Sequence, residues 1–324
     1  MSARESVDEA LTRAAKAIDG AEVVALACHV TPDGDALGST LALHHVLRAA
    51  GMSSIASFPK PFRVATHYRE LPGLELLAPP EEFPTRPDVM VTFDCGSLDR
   101  LGGLRPSAEA AAELIVVDHH VSNDRYGTIN VIDPDAAASG VLVRRLIERL
   151  GLALNDAAAV CLYAALICDT GRFQYETTCP DVFALAGELV GYDVPVSRLS
   201  RTLFEEHRFA YLQLLAEAVA NAELVREQSF VWTAVTQDML ARHDVSLEEV
   251  EGLIDIIRRT AEADVACVLK EEPDGTVKVS LRSVGAADVR HLAAAHGGGG
   301  HRFAAGFTSE AGIDETVDRI RAAL

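Results

Sequence analysis

Residues 23–39 read VVALACHVTPDGDALGS. Six apolar residues, three of them branched, predict a buried strand over 23–28, and the polar Thr-Pro-Asp-Gly stretch ends it before a helical pattern sets in over 37–50. The same cadence returns twice. Residues 88–95 (DVMVTFDC) and 114–117 (LIVV) are apolar on successive positions, as strands covered on both faces are. With helical patterns over 138–150 and 155–168, these segments predict an α/β domain wound on a parallel sheet.

Further along, a long helix is expected from about 197 to 226. The pattern then changes to a strand at 229–235, a helix at 248–259 and two β runs at 264–270 and 277–282. These runs flank EEPDGT, whose Pro-Asp-Gly marks a hairpin. A helix over 286–295, the run GGGGHRFAAG at 297–306 and a final helix close the chain. The expected organisation is a parallel-sheet domain at 1–190, a linker helix at 191–215 and a smaller α/β domain at 216–324.

The chain has 324 residues, 49% hydrophobic and 24% charged, which excludes a disordered or low-complexity protein. Its 29 Lys and Arg against 48 Asp and Glu leave a net charge of −19. Such a surface repels a long phosphate backbone, so duplex DNA is not an expected partner. No window offers the roughly 18 consecutive apolar residues of a membrane span, and the charged amphipathic start lacks a signal-peptide core. A cytoplasmic protein with no membrane partner is therefore expected. The six cysteines form no C-x-x-C pair and are expected to be reduced.

Polar clusters interrupt the apolar strands where a wound sheet binds ligands, at the carboxyl ends of its strands. They are His29-x-x-x-Asp33-x-Asp35, Asp94, Asp118-His119-His120 and, at a helix end, Asp169-Thr170-Gly171. Any one alone would pass for a helix cap or a turn. If Asp33, Asp35, Asp94 and Asp169 converge, their like charges force proton uptake unless cations neutralise them, and two divalent ions do so. His29 and His119 are the neutral nitrogen donors. Carboxylate and imidazole without thiolate suit Mn²⁺ best, with Mg²⁺ or Co²⁺ as alternatives. Cys28 and Cys95 flank ligand positions, but strand alternation turns them away.

Near the other end, Gly297–Gly300 and His301 form a second signature. Glycines let successive N–H groups converge on one anion, so Gly298, Gly299 and Gly300 are candidate phosphate binders. Arg282 and Ser283, ending the preceding β run, can add a bidentate cation and a hydroxyl, and His301 a further donor.

HVTPDGDALGS, VTFDCGS, VDHH and CDTGRF, followed by RS and GGGGHRFAAG, resemble the motifs of the DHH phosphoesterases and their associated C-terminal domain. The resemblance spans nearly the whole chain and is nearest to the nanoRNase/pAp phosphatase branch, which includes cyclic di-AMP phosphodiesterases. It implies a homodimer, each chain having a catalytic domain and a substrate-binding domain across a cleft. It assigns His29, Asp33 and Asp94 to one manganese, and Asp35, Asp94, His119 and Asp169 to the other. His120 would face the phosphoryl oxygens and Asp118 would support the histidines. Short substrates follow: nanoRNA, pAp, and linear or cyclic dinucleotides. Family II pyrophosphatases share these motifs but end in a basic motif absent here. A pyrophosphatase-like hydrolase of that kind and a nucleotide sensor that binds without turnover are the alternatives.

Overall fold

The computed structural model describes residues 6–284 and 286–324, with the side chain of His301 outside the described part. The chain divides into two units, Met1–Glu206 and His207–Leu324.

The N-terminal unit runs α1 (Val7–Asp19), β1 (Val23–Cys28), α2 (Gly34–Ala49), β2 (Ser53–Ser57), β3 (Val89–Phe93), α3 (Arg105–Ala110), β4 (Glu113–Asp118), β5 (Ile129–Ile132), α4 (Ser139–Arg149), α5 (Asp156–Asp169), α6 (Pro180–Val190) and α7 (Val196–Phe204). Its five strands are all parallel, in the order β2-β1-β3-β4-β5. The continuous apolar runs follow from burial on two sides. Val24, Leu26, Cys28, Val91 and Phe93 join the large core that includes α1, α2, α4 and α5, while Ala25, Ala27 and Met90 pack with Phe83, Leu101 and Leu104 on the opposite face. Strands β2 and β5 have no counterpart in the apolar pattern. β2 is a polar-interrupted edge strand, SSIAS, buried only in its second half, and β5 is four residues long.

Two glycines set how closely α5 approaches α2. A Cβ on Gly34 would lie 2.3 Å from Cys168 Sγ, and one on Gly38 would lie 2.4 Å from the Cys161 carbonyl oxygen. Only hydrogen fits at both positions, so the helices pack backbone against backbone. Their facing ends carry Asp33 and Asp35 on one side and Asp169 on the other.

The C-terminal unit runs α8 (Phe209–Ala220), β6 (Glu223–Val225), β7 (Phe230–Val235), α9 (Gln237–His243), α10 (Ile254–Ile257), β8 (Val265–Glu271), β9 (Val277–Ser283), α11 (Val289–Ala295), β10 (Gly299–His301), β11 (Ala304–Ser309) and α12 (Ile313–Ala323). Its sheet has the order β10-β11-β9-β8-β7-β6, antiparallel except for the β7–β8 pair. The expected hairpin is β8–β9, closed through Gly275 at φ +86°. Core clusters cover both faces. Among the described residues, no helix is long and apolar enough to cross a membrane.

Three helical expectations change. The linker expected over 191–215 and the long helix from 197 are not continuous, because α7 stops at Phe204 and α8 starts at Phe209. The polar residues between them find partners off the helix: Glu206 with Arg69, Arg208 with Asp244 and Glu249. Periodicity cannot register such contacts. The helix expected at 248–259 is a 3₁₀ segment followed by the four-residue α10. The glycine run, to which no strand was assigned, includes the edge strand β10.

Candidate metal centre

In the order β2-β1-β3-β4-β5, chain connections reverse direction between β1 and β3, and the crevice at their carboxyl ends is the favoured ligand site of such a sheet. His29 directly follows β1, Asp94 follows β3, and Asp118 ends β4 with His119 and His120 next. Asp94 has φ +51°, a left-handed conformation that aspartate tolerates better than most residues, and its N–H donates to the Val117 carbonyl at 3.0 Å. The turn thus fixes the carboxylate between β1 and β4.

Asp33 serves two purposes. One oxygen caps α2 by accepting from the Ala36 N–H at 3.0 Å, while Oδ2 lies 3.7 Å from His29 Nε2. Asp35, fully buried in the first turn of α2, accepts from the Gly140 N–H at 2.9 Å, from the Ser139 N–H and from Ser39 Oγ at 3.1 Å. The α4 N-terminus thereby holds Asp35 from below. Asp169 arrives from the last residue of α5.

The side chains meet as three sets whose ligand atoms lie within 4.8 Å of one another: His29, Asp33 and Asp94; Asp35, His119 and Asp169; and Asp94, His119 and His120. Asp94 belongs to two sets. Its Oδ2 is 3.6 Å from His29 Nε2, and its Oδ1 is 3.6 Å from His119 Nε2. His119 Nε2 also lies 2.9 Å from Asp169 Oδ2, while its Nδ1 is 3.0 Å from the Ala136 carbonyl, an acceptor that leaves Nε2 as the donor atom for an ion. His29, Asp35, Asp94 and His119 are buried. Asp33 is half exposed and opens the site to solvent.

Burial together with the charges of Asp169 and Asp94 drives the Asp35 carboxyl well above its ordinary range. Burial raises Asp169 to about 6, even against the hydrogen bond from His119. Burial alone would keep His29 neutral, yet Asp33 and Asp94 outweigh it and raise the imidazole to about 10. Two causes act together: carboxylates are buried, and more negative charge is packed here than the protein itself neutralises. Divalent cations remove the conflict, and the donor set of aspartate oxygens and imidazole nitrogens fits them. No cysteine joins it: Cys28 lies in the large core, and Cys95 packs on the other face of the sheet.

Asp118 and His120 stand beside this set. Asp118 Oδ1 accepts from the N–H groups of His119 and His120 at 2.8 and 3.2 Å and contacts His120 Nδ1 at 2.7 Å, while Oδ2 accepts from Asn123. Burial opposes ionisation, but these bonds hold the Asp118 carboxyl down at about 2. His120 is raised above its usual value, its desolvation outweighed by Asp118 and Asp94. One carboxylate therefore fixes the backbone of the Asp-His-His turn and one of its rings.

The other candidates lie in the C-terminal unit. Arg282 and Ser283 end β9, and Arg282 pairs with Ala304, which pairs in turn with His301. Arg282 and His301 therefore stand in one row across three strands. Ser283 is buried, and its N–H donates to the Phe303 carbonyl at 2.9 Å. The N–H of Gly298 already donates to Ala293, closing α11. A Cβ on Gly298 or Gly300 would strike β11, at 2.1 Å from the Gly306 oxygen and 2.4 Å from the Ala304 oxygen respectively, whereas Gly299 faces open space. Close strand packing thus requires two of the glycines. The expectation for His301 concerns a side chain outside the described residues.

Sequence reading missed Ser139, Gly140, Asn123 and Arg100. Ser139 Oγ donates to Asp94 Oδ1 at 3.1 Å, and Arg100 Nη2 lies 2.9 Å from His29 Nδ1. None sits in an apolar strand or a histidine-rich motif. Only the Ala-Ser-Gly at the start of a helical pattern hinted at Ser139.

Comparison with known proteins agrees with this geometry. Residues 23–166 match the DHH family, N-terminal domain, and residues 228–324 match the DHHA1 domain. The bifunctional oligoribonuclease and PAP phosphatase NrnA of Thermus thermophilus is 31% identical over 312 residues, covering 95% of this chain and 90% of the relative. The Bacillus subtilis protein of the same name is 29% identical over 309 residues, 94% of each chain. The crystal structure of an exopolyphosphatase-related protein from Bacteroides fragilis superposes with a TM-score of 0.90, over 98% of this chain and 95% of that one, at 24% identity, and so shares the fold. The chain belongs to the DHH family and is a hydrolase of phosphoric ester bonds.

Proposed function

We propose that this protein is a manganese-dependent phosphoesterase that releases mononucleotides from short oligoribonucleotides and removes the 3′-phosphate of pAp, with linear and cyclic dinucleotides such as cyclic di-AMP as further substrates. The observation that carries the reading is Asp94, shared between two sets of ligand atoms and aimed at a histidine of each. A carboxylate in that position would serve two ion sites. His29, Asp33 and Asp94 would hold one ion; Asp35, Asp94, His119 and Asp169 the other. Bound there, two divalent cations supply the Lewis acidity that activates water and offsets charge on the phosphoryl oxygens.

The protein's own groups do the rest. Asp118 fixes the His120 ring so that it can donate to the phosphoryl or leaving oxygen at the half-open edge of the site. The N–H groups of Ser139 and Gly140 keep Asp35 oriented inside the core. In the C-terminal unit, Arg282, Ser283, edge strand β10 with Gly299 and Gly300, and His301 would bind the terminal phosphate or nucleotide, which favours short substrates. The assignment of 1–190 to catalysis and 216–324 to substrate binding, homodimerisation and a cytoplasmic location belong to the same proposal. The two NrnA relatives support this choice of substrates by their names.

The test is release of AMP from pApA, pAp and cyclic di-AMP, compared by kcat/KM with Mn²⁺ present and after chelation. Metal-dependent turnover is expected, fastest on pAp or pApA. Tight binding without product would make the protein a sensor, and turnover of pyrophosphate alone would place it with the pyrophosphatases.

A further inference from the structure

Arg100 follows Asp94 by six positions, in the segment after β3. Its carbonyl oxygen accepts from the Val30 N–H at 2.9 Å, which ties its backbone to the turn that carries His29. The residue is exposed, its Nη2 lies 2.9 Å from His29 Nδ1, and among the described residues no carboxylate stands within ion-pair distance of its guanidinium. In a chain of net charge −19, a cation against an acidic cluster without a carboxylate partner calls for explanation.

His29 Nδ1 also lies 2.8 Å from the Val30 carbonyl oxygen. One ring nitrogen cannot satisfy both neighbours. The carbonyl requires a hydrogen on Nδ1, whereas the guanidinium, a donor only, requires its lone pair. A hydrogen on Nδ1 is the arrangement that leaves the Nε2 lone pair facing Asp33 and Asp94, as an ion at that position demands. The Arg100 contact then sets N–H against N–H and is lost.

Charge gives the displaced guanidinium a destination. Two divalent ions balance Asp33, Asp35, Asp94 and Asp169 and leave the charge of an incoming phosphoryl group unopposed. A planar guanidinium matches two phosphoryl oxygens at once. Resting on the phosphoesterase reading, we propose that Arg100 is a catalytic residue, placed beside His29 with no lasting bond to its ring and turned onto the non-bridging oxygens of the reacting phosphoryl group once ions bind. It gives and takes no proton. Its part is to neutralise the charge that grows on those oxygens.

The experiment compares wild type, Arg100→Ala and Arg100→Lys by calorimetric titration with Mn²⁺, by titration of the Mn²⁺-saturated proteins with inorganic phosphate, and by kcat on pApA at saturating Mn²⁺. Arg100→Ala should bind Mn²⁺ within about threefold of wild type, bind phosphate about tenfold more weakly and lose about 10²–10³ in kcat, the range for removing one transition-state donor. Arg100→Lys should recover part of the phosphate affinity, as a point charge without the fork. Two results overturn the proposal. In one, Mn²⁺ affinity collapses while kcat at saturation matches wild type, so that Arg100 only orients His29. In the other, phosphate affinity is unchanged by the alanine variant. If the wild type releases no AMP, the substrate reading fails, and the phosphate titration still decides Arg100.

Discussion

Gly38→Ala probes how helix packing assembles the candidate metal centre. A methyl group at this position would lie 2.4 Å from the Cys161 carbonyl oxygen, 3.0 Å from Ala165 Cβ and 3.1 Å from the Ala165 nitrogen, all on α5. The nearest obstacle is backbone and cannot rotate aside, so the helices must separate by roughly 1 Å to restore ordinary contact. Alanine gains about 1 kcal/mol of helix propensity over glycine, while overpacking costs about 1–3 kcal/mol. The net loss is about 0–2 kcal/mol, a fall in Tm of a few degrees at most. Activity should suffer more. Asp35 rides on α2 and Asp169 on α5, and a displacement of about 1 Å between reacting groups can cost on the order of 10²-fold. The assay is calorimetric Tm, Mn²⁺ affinity and kcat on pApA, with Gly187→Ala as the control. Gly187 lies in α6 with no atom within 4 Å of an added Cβ, so alanine there should be neutral or stabilising by up to about 1 kcal/mol. A Gly38→Ala protein with wild-type Tm, Mn²⁺ affinity and kcat would refute the reasoning.

Asp94→Asn should lower the number of bound Mn²⁺ seen by titration and reduce kcat by more than about 10³, because the shared ligand is lost; a near-normal rate would remove Asp94 from its proposed role. Addition of Mn²⁺ to the chelated protein should raise Tm, by the equivalent of about 2.7 kcal/mol at a hundredfold excess over Kd, and the shift should vanish in a variant lacking His29, Asp35 and Asp169 side chains. Arg282→Ala should raise KM for pApA and leave kcat within about threefold, since a remote phosphate contact acts alike in ground and transition states. In the C-terminal unit, burial opposes ionisation of Glu251, but Lys270 and Lys278 outweigh it and lower its pKa. Its contribution to stability is complete above the unfolded-state value and is lost as pH falls through the lower folded value. Denaturant melts should show Glu251→Gln destabilised at pH 7 and converging on wild type in acid, and Lys270→Met, which removes the buried ammonium, should restore part of the loss.

The parallel sheet was legible because strands buried on two faces must be apolar at every position, as 23–28 and 114–117 are. The cluster of candidate ligands was legible for a related reason. Charged and imidazole residues abutting such strands have no role in the core, so His29, Asp94 and Asp118-His119-His120 stood out against it. Strand β2 escaped because half of it is exposed and its serines break the pattern. The break at 205–208 escaped because residues distant in sequence take up Glu206 and Arg208. The glycine run suggested backbone N–H groups free for a phosphate, and the pattern gave no sign that two of its members are small because β11 leaves no room for a side chain.

By itself, then, the sequence determined the class of the fold and the position along the chain of each candidate ligand, since both depend on local composition and spacing. Tertiary structure alone decided that Asp94 lies between two histidines brought in by β1 and β4, that the α4 N-terminus holds Asp35, and that Gly34 and Gly38 let α5 deliver Asp169 to α2. Those are distances between segments far apart in the chain, fixed by close packing, and no local pattern of residues encodes them.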